Sequence, residues 1–128
     1  MEQVLIVDDS PAARMIVRRC LRIAGLESEQ VLEAEHGRAA LEVLKRTPVH
    51  LVVSDLNMPV MDGHTLLRFM RSSPRLRDIP VVVVSSLVNA ATRDSLSSLQ
   101  PVVILKKPLN AARMAEALGQ VSKVRRAS

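Results

Sequence analysis

Short aliphatic runs alternate with longer stretches whose apolar residues fall three and four apart, from one end of this 128-residue chain to the other. Few architectures accept that order. Aliphatic runs bounded by turn residues are strands, stretches with a 3.6-residue period are amphipathic helices, and their strict alternation predicts an α/β fold around a mostly parallel sheet. The predicted strands are 4–7, 30–34, 51–54, 81–84 and 102–105. Four of them are nearly continuous in Val, Leu and Ile, as strands covered by helices on both faces should be. The run 30–34 alternates polar with apolar residues and reads as an edge. With 128 residues there is material for one core and little left for a second.

The first helix has the clearest local signals. Ser10 can cap its free amides, Pro11 suits the first helical position, where no N–H is needed, and Gly25 supplies a stop. Ala13, Ile16, Val17, Cys20, Leu21 and Ala24 form its predicted inner stripe, and Arg14, Arg18 and Arg22 line a second face expected to meet solvent. Further helices are predicted over 38–46, ended near Pro48, and over 64–71, ended before Pro74. Asn110 can cap a last helix with an inner stripe of Ala111, Met114, Ala115, Leu118 and Val121. The segment 89–99 is the weakest helix, because Ser95, Ser97 and Ser98 compete for backbone hydrogen bonds, and it is expected to be short or mobile. Residues 1–122 are read as one domain and 123–128 as a basic tail whose Lys123, Arg125 and Arg126 fray.

Composition removes several function classes. Phe69 is the one aromatic residue, so there is no stacking platform for single-stranded nucleic acid, and no direct nucleic-acid binding is expected. Cys20 has no partner within the chain and reads as a buried apolar residue in a reducing compartment. No apolar run approaches the roughly 18 residues of a membrane span, and Met1 is followed by charged and polar residues rather than a leader. A cytoplasmic protein without membrane insertion is expected. The net charge of +5 fits an acidic partner, a membrane surface or nucleic acid, and does not choose among them.

Open parallel sheets bind ligands beyond the carboxyl ends of their strands. The residues found there are Asp8 and Asp9 after the first run, Asp55 after the third, Ser85 after the fourth and Lys107 after the fifth. Singly, each has a bland reading: Asp9 with Ser10 and Pro11 as a helix start, 55–63 as a turn-rich loop, Ser85 as a strand end. Together they place three carboxylates, a hydroxyl and an ammonium at one end of four strands. Close carboxylates repel by roughly 4 kcal/mol per pair at an effective dielectric near 20, which a cation relieves. All-oxygen ligands favour Mg²⁺, and no Cys/His pairs stand at zinc spacing; His36, His50 and His64 are expected to be solvated or structural. A phosphoryl group bound there would meet the metal, Lys107 as a point charge and Ser85 as a hydroxyl donor, with Asp55 placed as nucleophile.

These residues resemble the receiver domain of bacterial two-component response regulators. The matching pieces are Val7-Asp8-Asp9-Ser10, Ser54-Asp55-Leu56-Asn57-Met58-Pro59 with Met61-Asp62-Gly63, the run from Pro80 to Ser85, and Lys107-Pro108. The loop from Asp55 to Gly63 is especially similar to that of single-domain chemotaxis regulators. The resemblance implies a single doubly wound (βα)5 flavodoxin-like domain with a parallel sheet of order 2-1-3-4-5. It implies Asp55 as phosphoacceptor, Asp9, Asp55 and the Asn57 backbone carbonyl as Mg²⁺ ligands, and Asp8 as a direct or water-mediated helper. Ser85 and Lys107 would hold the phosphoryl oxygens, and the Lys107-Pro108 peptide would be cis. A sensor histidine kinase or phosphotransfer protein would be the donor. A downstream protein would read the face formed by the fourth helix, fifth strand and fifth helix.

Two positions depart from the family pattern. Three residues before Lys107, where receivers commonly carry an aromatic that swings inward on activation, stands Ile104, and the usual Gly-containing turn before it is replaced by Gln100-Pro101-Val102-Val103. A change in the Ser-rich fourth helix is the substitute expected. Leu87, two residues after Ser85, is aliphatic where relatives often carry a polar group. The leading reading is a single-domain phosphorylation switch rather than a turnover enzyme. A receiver cut from a larger regulator and a phosphorylation-independent scaffold are the alternatives. A phosphohydrolase would want an acid two residues after its nucleophile, and Asn57 is not one.

Overall fold

The computed structural model describes residues 3–26 and 30–127, with side chains to residue 123. Its elements alternate without exception: β1 (Val4–Val7), α1 (Pro11–Ile23), β2 (Val31–Ala34), α2 (Gly37–Arg46), β3 (Leu51–Asp55), α3 (Gly63–Ser72), β4 (Val81–Ser85), α4 (Ala90–Ser97), β5 (Val103–Lys106) and α5 (Ala111–Ala127). The strands form one parallel sheet in the order β2-β1-β3-β4-β5. The predicted doubly wound architecture is thus the observed one.

Successive strand residues point to opposite faces, and each face feeds its own core. Val4 and Ile6 of β1 join Val17, Cys20 and Leu21 of α1 and Met114, Ala117 and Val121 of α5. Leu5 and Val7 join Ala40 and Leu44 of α2, Leu66, Leu67 and Met70 of α3, and Leu96 of α4. That is why β1, β3 and β4 are buried along their whole length and read as unbroken aliphatic runs. Edge strand β2 buries only Val31 and Ala34, as its alternation predicts.

The helix starts follow their caps. Ser10, Asp62 and Asn89 accept from the amides of Ala13, Thr65 and Thr92 at α1, α3 and α4, and Asn110 accepts from Arg113 at α5. Gly25 takes φ +110 just beyond α1, a conformation that suits glycine at a helix stop. Each histidine has a structural partner. His36 Nδ1 accepts from Ala39 N, His50 Nδ1 accepts from Gln3 N, and His64 Nε2 lies 2.9 Å from Ser95 Oγ.

Four expectations change. Ile16, predicted on the inner stripe of α1, is 49% exposed, and the buried residues of that helix are Val17, Cys20 and Leu21. Arg14 and Arg18 do not simply meet solvent; both pair with Glu33 on edge strand β2, at 2.7 and 2.6 Å. The inner stripe of α5 runs through Ala117 rather than Ala115, which is exposed, because Met114, Ala117 and Val121 are the positions that face α1 and the sheet. Backbone hydrogen bonding carries α5 through Ala127, so Lys123, Arg125 and Arg126 prolong the helix; no Gly or Pro follows Gly119 to stop it. Met1, Glu2 and Ser128 lie outside the described residues. α4 is short, as its serines predict, and Leu96 is its one buried residue.

Candidate functional site

The strand ends bring the predicted acids together. Asp8 follows β1 and is buried; its amide donates to Ala34 O, and its Oδ1 accepts from Ser10 N at 3.0 Å. Asp9 beside it is exposed. Asp55 ends β3, is 8% exposed, and its Oδ1 accepts from Leu56 N at 2.8 Å. One carboxylate oxygen from each of Asp8, Asp9 and Asp55 lies within 4.8 Å of the others. Lys107 closes the group, its Nζ donating to Asp8 Oδ2 at 3.1 Å and lying 3.5 Å from Asp55 Oδ2.

One ammonium against three acids leaves negative charge in excess. Burial pushes the Asp55 carboxyl above its ordinary range; the Lys107 ammonium opposes that shift, the Asp8 carboxylate adds to it, and the Leu56 N–H opposes it. For Lys107, burial favours the neutral amine, but the hydrogen bond to Asp8 and the charges of Asp55 and Asp8 outweigh it and raise the group. A carboxyl raised in the folded state contributes stability that is fully present in acid and is lost as the pH climbs through the folded value. At neutral pH the ionised Asp55 is therefore a cost to the fold. Asp55→Asn, with divalent metal chelated, is expected to have a higher urea midpoint than the native protein at neutral pH. That advantage should shrink as the pH falls through the raised Asp55 value and be gone below about 4, the ordinary Asp range. An equal or lower midpoint at neutral pH counts against this account.

Ser85 is buried at the end of β4, but its hydroxyl is engaged within its own loop. It donates to Leu87 O at 3.1 Å and accepts from Leu87 N at 3.2 Å, while Thr92 Oγ1 of α4 donates to the same Leu87 carbonyl. Leu87 is 62% exposed. Asn57 lies two residues beyond Asp55, exposed in the β3–α3 loop. The Lys107-Pro108 peptide is cis.

That loop is held by close backbone approach. Gly63 N donates to Leu56 O at 2.8 Å, and a Cβ on Gly63 would collide with the Asp55 carbonyl oxygen and stand 2.9 Å from Leu56 Cα. Gly37, opening α2, donates to Met61 O at 2.9 Å and leaves no room for a side chain against Met61. Between them Val60 takes φ +67, a left-handed conformation that strains a β-branched residue by about 1–2 kcal/mol.

Sequence reasoning located Asp8, Asp9, Asp55 and Lys107 and missed one support. Arg14 Nη1 donates to Asp8 O at 2.6 Å while its Nε pairs with Glu33, so α1, β2 and the β1–α1 turn are tied at one guanidinium. Arg18 and Arg14 hold the Glu33 carboxyl below its usual range, first through the Arg18 hydrogen bond. The signal was a lone acid on an alternating edge strand beside an i, i+4 arginine pair. Gly63 was legible only as part of a motif.

The family profile of the response regulator receiver domain matches residues 4–119. The chain belongs to the response regulator receiver family. It is 35% identical over 121 residues to the chemotaxis protein CheY-3 of Vibrio cholerae, covering 93% of this chain and 90% of that one. It is 37% identical over 109 residues to the sensor histidine kinase TmoS of Ectopseudomonas mendocina, covering 85% of this chain but 11% of the kinase. Among solved structures, the chemotaxis response regulator CheY4 of Vibrio cholerae superposes with a TM-score of 0.83 at 29% identity, covering 94% of this chain and 98% of that one. As a receiver, the chain is a phosphorylation-dependent signalling switch of two-component regulation. Among the described residues, no helix is long and apolar enough to cross a membrane.

Proposed function

We propose that Asp55 accepts a phosphoryl group from a phosphohistidine, and that Asp8, Asp9, Asp55 and the Asn57 backbone carbonyl hold Mg²⁺ while it does so. The carrying observation is the set of three carboxylates within 4.8 Å, with Lys107 the one cation paired to them among the described residues. An all-oxygen donor set with excess negative charge and an exposed member, Asp9, fits a hard, partly hydrated cation. When bound, Mg²⁺ would neutralise phosphoryl oxygens. The protein's own groups do the rest. An Asp55 carboxylate oxygen attacks phosphorus as the P–N bond to the donor imidazole breaks, Lys107 meets the phosphoryl charge, and Ser85 turns its hydroxyl from Leu87 O to a phosphoryl oxygen. Incubation with a small phosphodonor and Mg²⁺ should add one phosphoryl mass to the native protein and none to Asp55→Ala. Labelling that persists in the variant, or fails in the native protein, overturns the assignment.

The donor also needs a place to rest beside Lys107. Ala13, Ile16 and Val17 of α1 with Lys107, Pro108 and Leu109 line an apolar groove of about 370 Å³, and Ile16 is 49% exposed there although its spacing puts it on the inner stripe. This groove suits the apolar face of a helix carrying the phosphohistidine. Ile16→Asp is expected to slow transfer from a kinase or phosphotransfer protein roughly tenfold or more, about 1.4 kcal/mol of lost apolar contact, while labelling by a small phosphodonor is unchanged.

The output side rests on α4. Its N-terminal part is tied through Leu87 O, which receives both Ser85 Oγ and Thr92 Oγ1. When Ser85 turns away, one of those two bonds goes, and α4, whose one buried residue is Leu96 and whose Ser95 meets His64 of α3, shifts for a partner reading the α4–β5–α5 face without an aromatic at Ile104. Leu87, exposed two residues after Ser85, would shield the phosphoryl group from water. The aspartyl phosphate is expected to outlive that of Leu87→Glu several-fold in a phosphate-release assay. Equal or faster decay in the native protein counts against the shield.

A further inference from the structure

At the end of the sheet away from Asp55, the C-terminal turn of α2 and the α3–β4 loop enclose a second groove, of about 370 Å³. It is lined by four aliphatic residues together with Thr47 and Pro48: Leu44 and Val49 are buried, and Leu76 and Ile79 are half-buried along one side. Its rim is cationic. Arg46 and Arg75 both line it and are both exposed, and among the described residues neither has a carboxylate within ion-pair distance. The nearby acids are committed elsewhere: Glu42 lies 3.8 Å from Lys45, and the charge of Asp78 acts on Arg71.

The wall of this groove is pre-organised. Arg71, half-buried, donates to the carbonyls of Arg77 and Ile79 at 3.1 and 2.8 Å, and on its other side to Leu99 and Gln100. The loop adds its own bonds, Leu76 N and Arg77 N to Ser73 O and Ile79 N to Leu76 O. Across the groove, Arg46 Nε donates to Glu42 O, which leaves the outer edge of its guanidinium to the rim. A hydrogen-bonded slot between two guanidinium groups that have no carboxylate partner among the described residues needs little ordering on binding.

We propose that this groove docks an acidic, aliphatic segment of a partner protein, with one or two aliphatic side chains on Leu44, Val49, Leu76 and Ile79 and carboxylates on Arg46 and Arg75. A membrane surface is the poorer occupant, since it needs protruding apolar side chains. The exposed large apolar residues are Met15, Ile16, Ile23, Val60, Phe69 and Leu87, and none lines this concave site. Val49 precedes β3 and Asp55 ends it, so six residues of extended chain, about 20 Å, separate the groove from the phosphorylation site. That is beyond the ~8 Å Debye length at physiological salt. Docking here is a standing tether, indifferent to phosphorylation, and it does not depend on the chemistry assigned to Asp55.

The probe is a short synthetic peptide of leucine and glutamate, capped at both ends, titrated against methyl-labelled full-length protein. Saturable shifts are expected at Leu44, Val49, Leu76 and Ile79, alike with and without phosphodonor. The R46E/R75E double variant should bind at least roughly tenfold more weakly, and a leucine–lysine peptide should not bind. Both substitutions are at exposed positions, and unchanged labelling of Asp55 by the small phosphodonor certifies the variant's fold. Absent shifts, shifts elsewhere, affinity indifferent to the double reversal, or affinity that follows phosphorylation each overturn the proposal. So does protection of the same methyls by phosphatidylglycerol vesicles through the same arginines. Loss of native Asp55 labelling with peptide binding retained would instead sink the phosphoacceptor assignment and leave the tether standing.

Discussion

Lys107→Met is expected to slow labelling of Asp55 by a small phosphodonor roughly 10²-fold, the usual loss when one pre-placed charge stabiliser is removed. The ammonium bridges Asp8 and Asp55, so it is also the counter-charge that lets the two carboxylates share a buried corner. Removing one partner of a fully buried ion pair costs about 3–5 kcal/mol. The Lys107 side chain is 29% exposed, so solvent screens part of this, and about 1–3 kcal/mol is expected. The loss should show as a lower urea midpoint in chelator and be partly restored by Mg²⁺, since a ligand that binds only the folded state stabilises it. A variant that labels at the native rate would mean that Lys107 does not meet the phosphoryl charge.

Gly63→Ala should damage the fold and the chemistry together. The added methyl would be driven into the Asp55 carbonyl and against Leu56 Cα, which are backbone atoms with no rotamer to yield. Relief requires parting the Gly63 N–H from Leu56 O or displacing the end of β3, and a cost of about 3 kcal/mol or more is expected. Because the displaced atoms belong to Asp55, the residual folded protein should also label slowly. Urea unfolding with a normal slope and a lowered midpoint, alongside reduced labelling at a concentration where the variant is folded, is the expected pair of results. Native labelling in a destabilised variant would show that the Asp55 carboxylate keeps its place despite the shift.

The fold was legible because burial on both faces imposes unbroken aliphatic runs, and β1 is found where its run predicts it. β3 and β4 extend one residue beyond their runs, to Asp55 and Ser85, and β5 extends to Lys106. Backbone pairing continues past the last apolar side chain, so hydropathy stops short of the ladder, and the functional residues occupy that gap. The acids and Lys107 were legible for the same reason. What was not legible depends on partners distant in sequence. Nothing local to Arg14 announces Glu33 and the Asp8 carbonyl, and nothing local to Arg71 announces four carbonyls from two loops. Ala115 and Ala117 could not be ranked, since a methyl carries too little apolar surface to mark the inner face of α5. The direction of the Ser85 hydroxyl is a rotamer choice that strand position leaves open.

Cys20 gives the chain an experimental handle. It is the sole cysteine, buried between α1 and the sheet, and burial pushes its thiol up, away from the reactive thiolate. Thiol reagents should pass it by under native conditions. With neither Trp nor Tyr in the sequence, the protein has no useful fluorescence of its own. A cysteine introduced at exposed Arg93 on α4 would therefore accept a dye selectively in the otherwise natural background. The helix on which the output is argued to depend could then be watched optically, in real time, as phosphodonor is added.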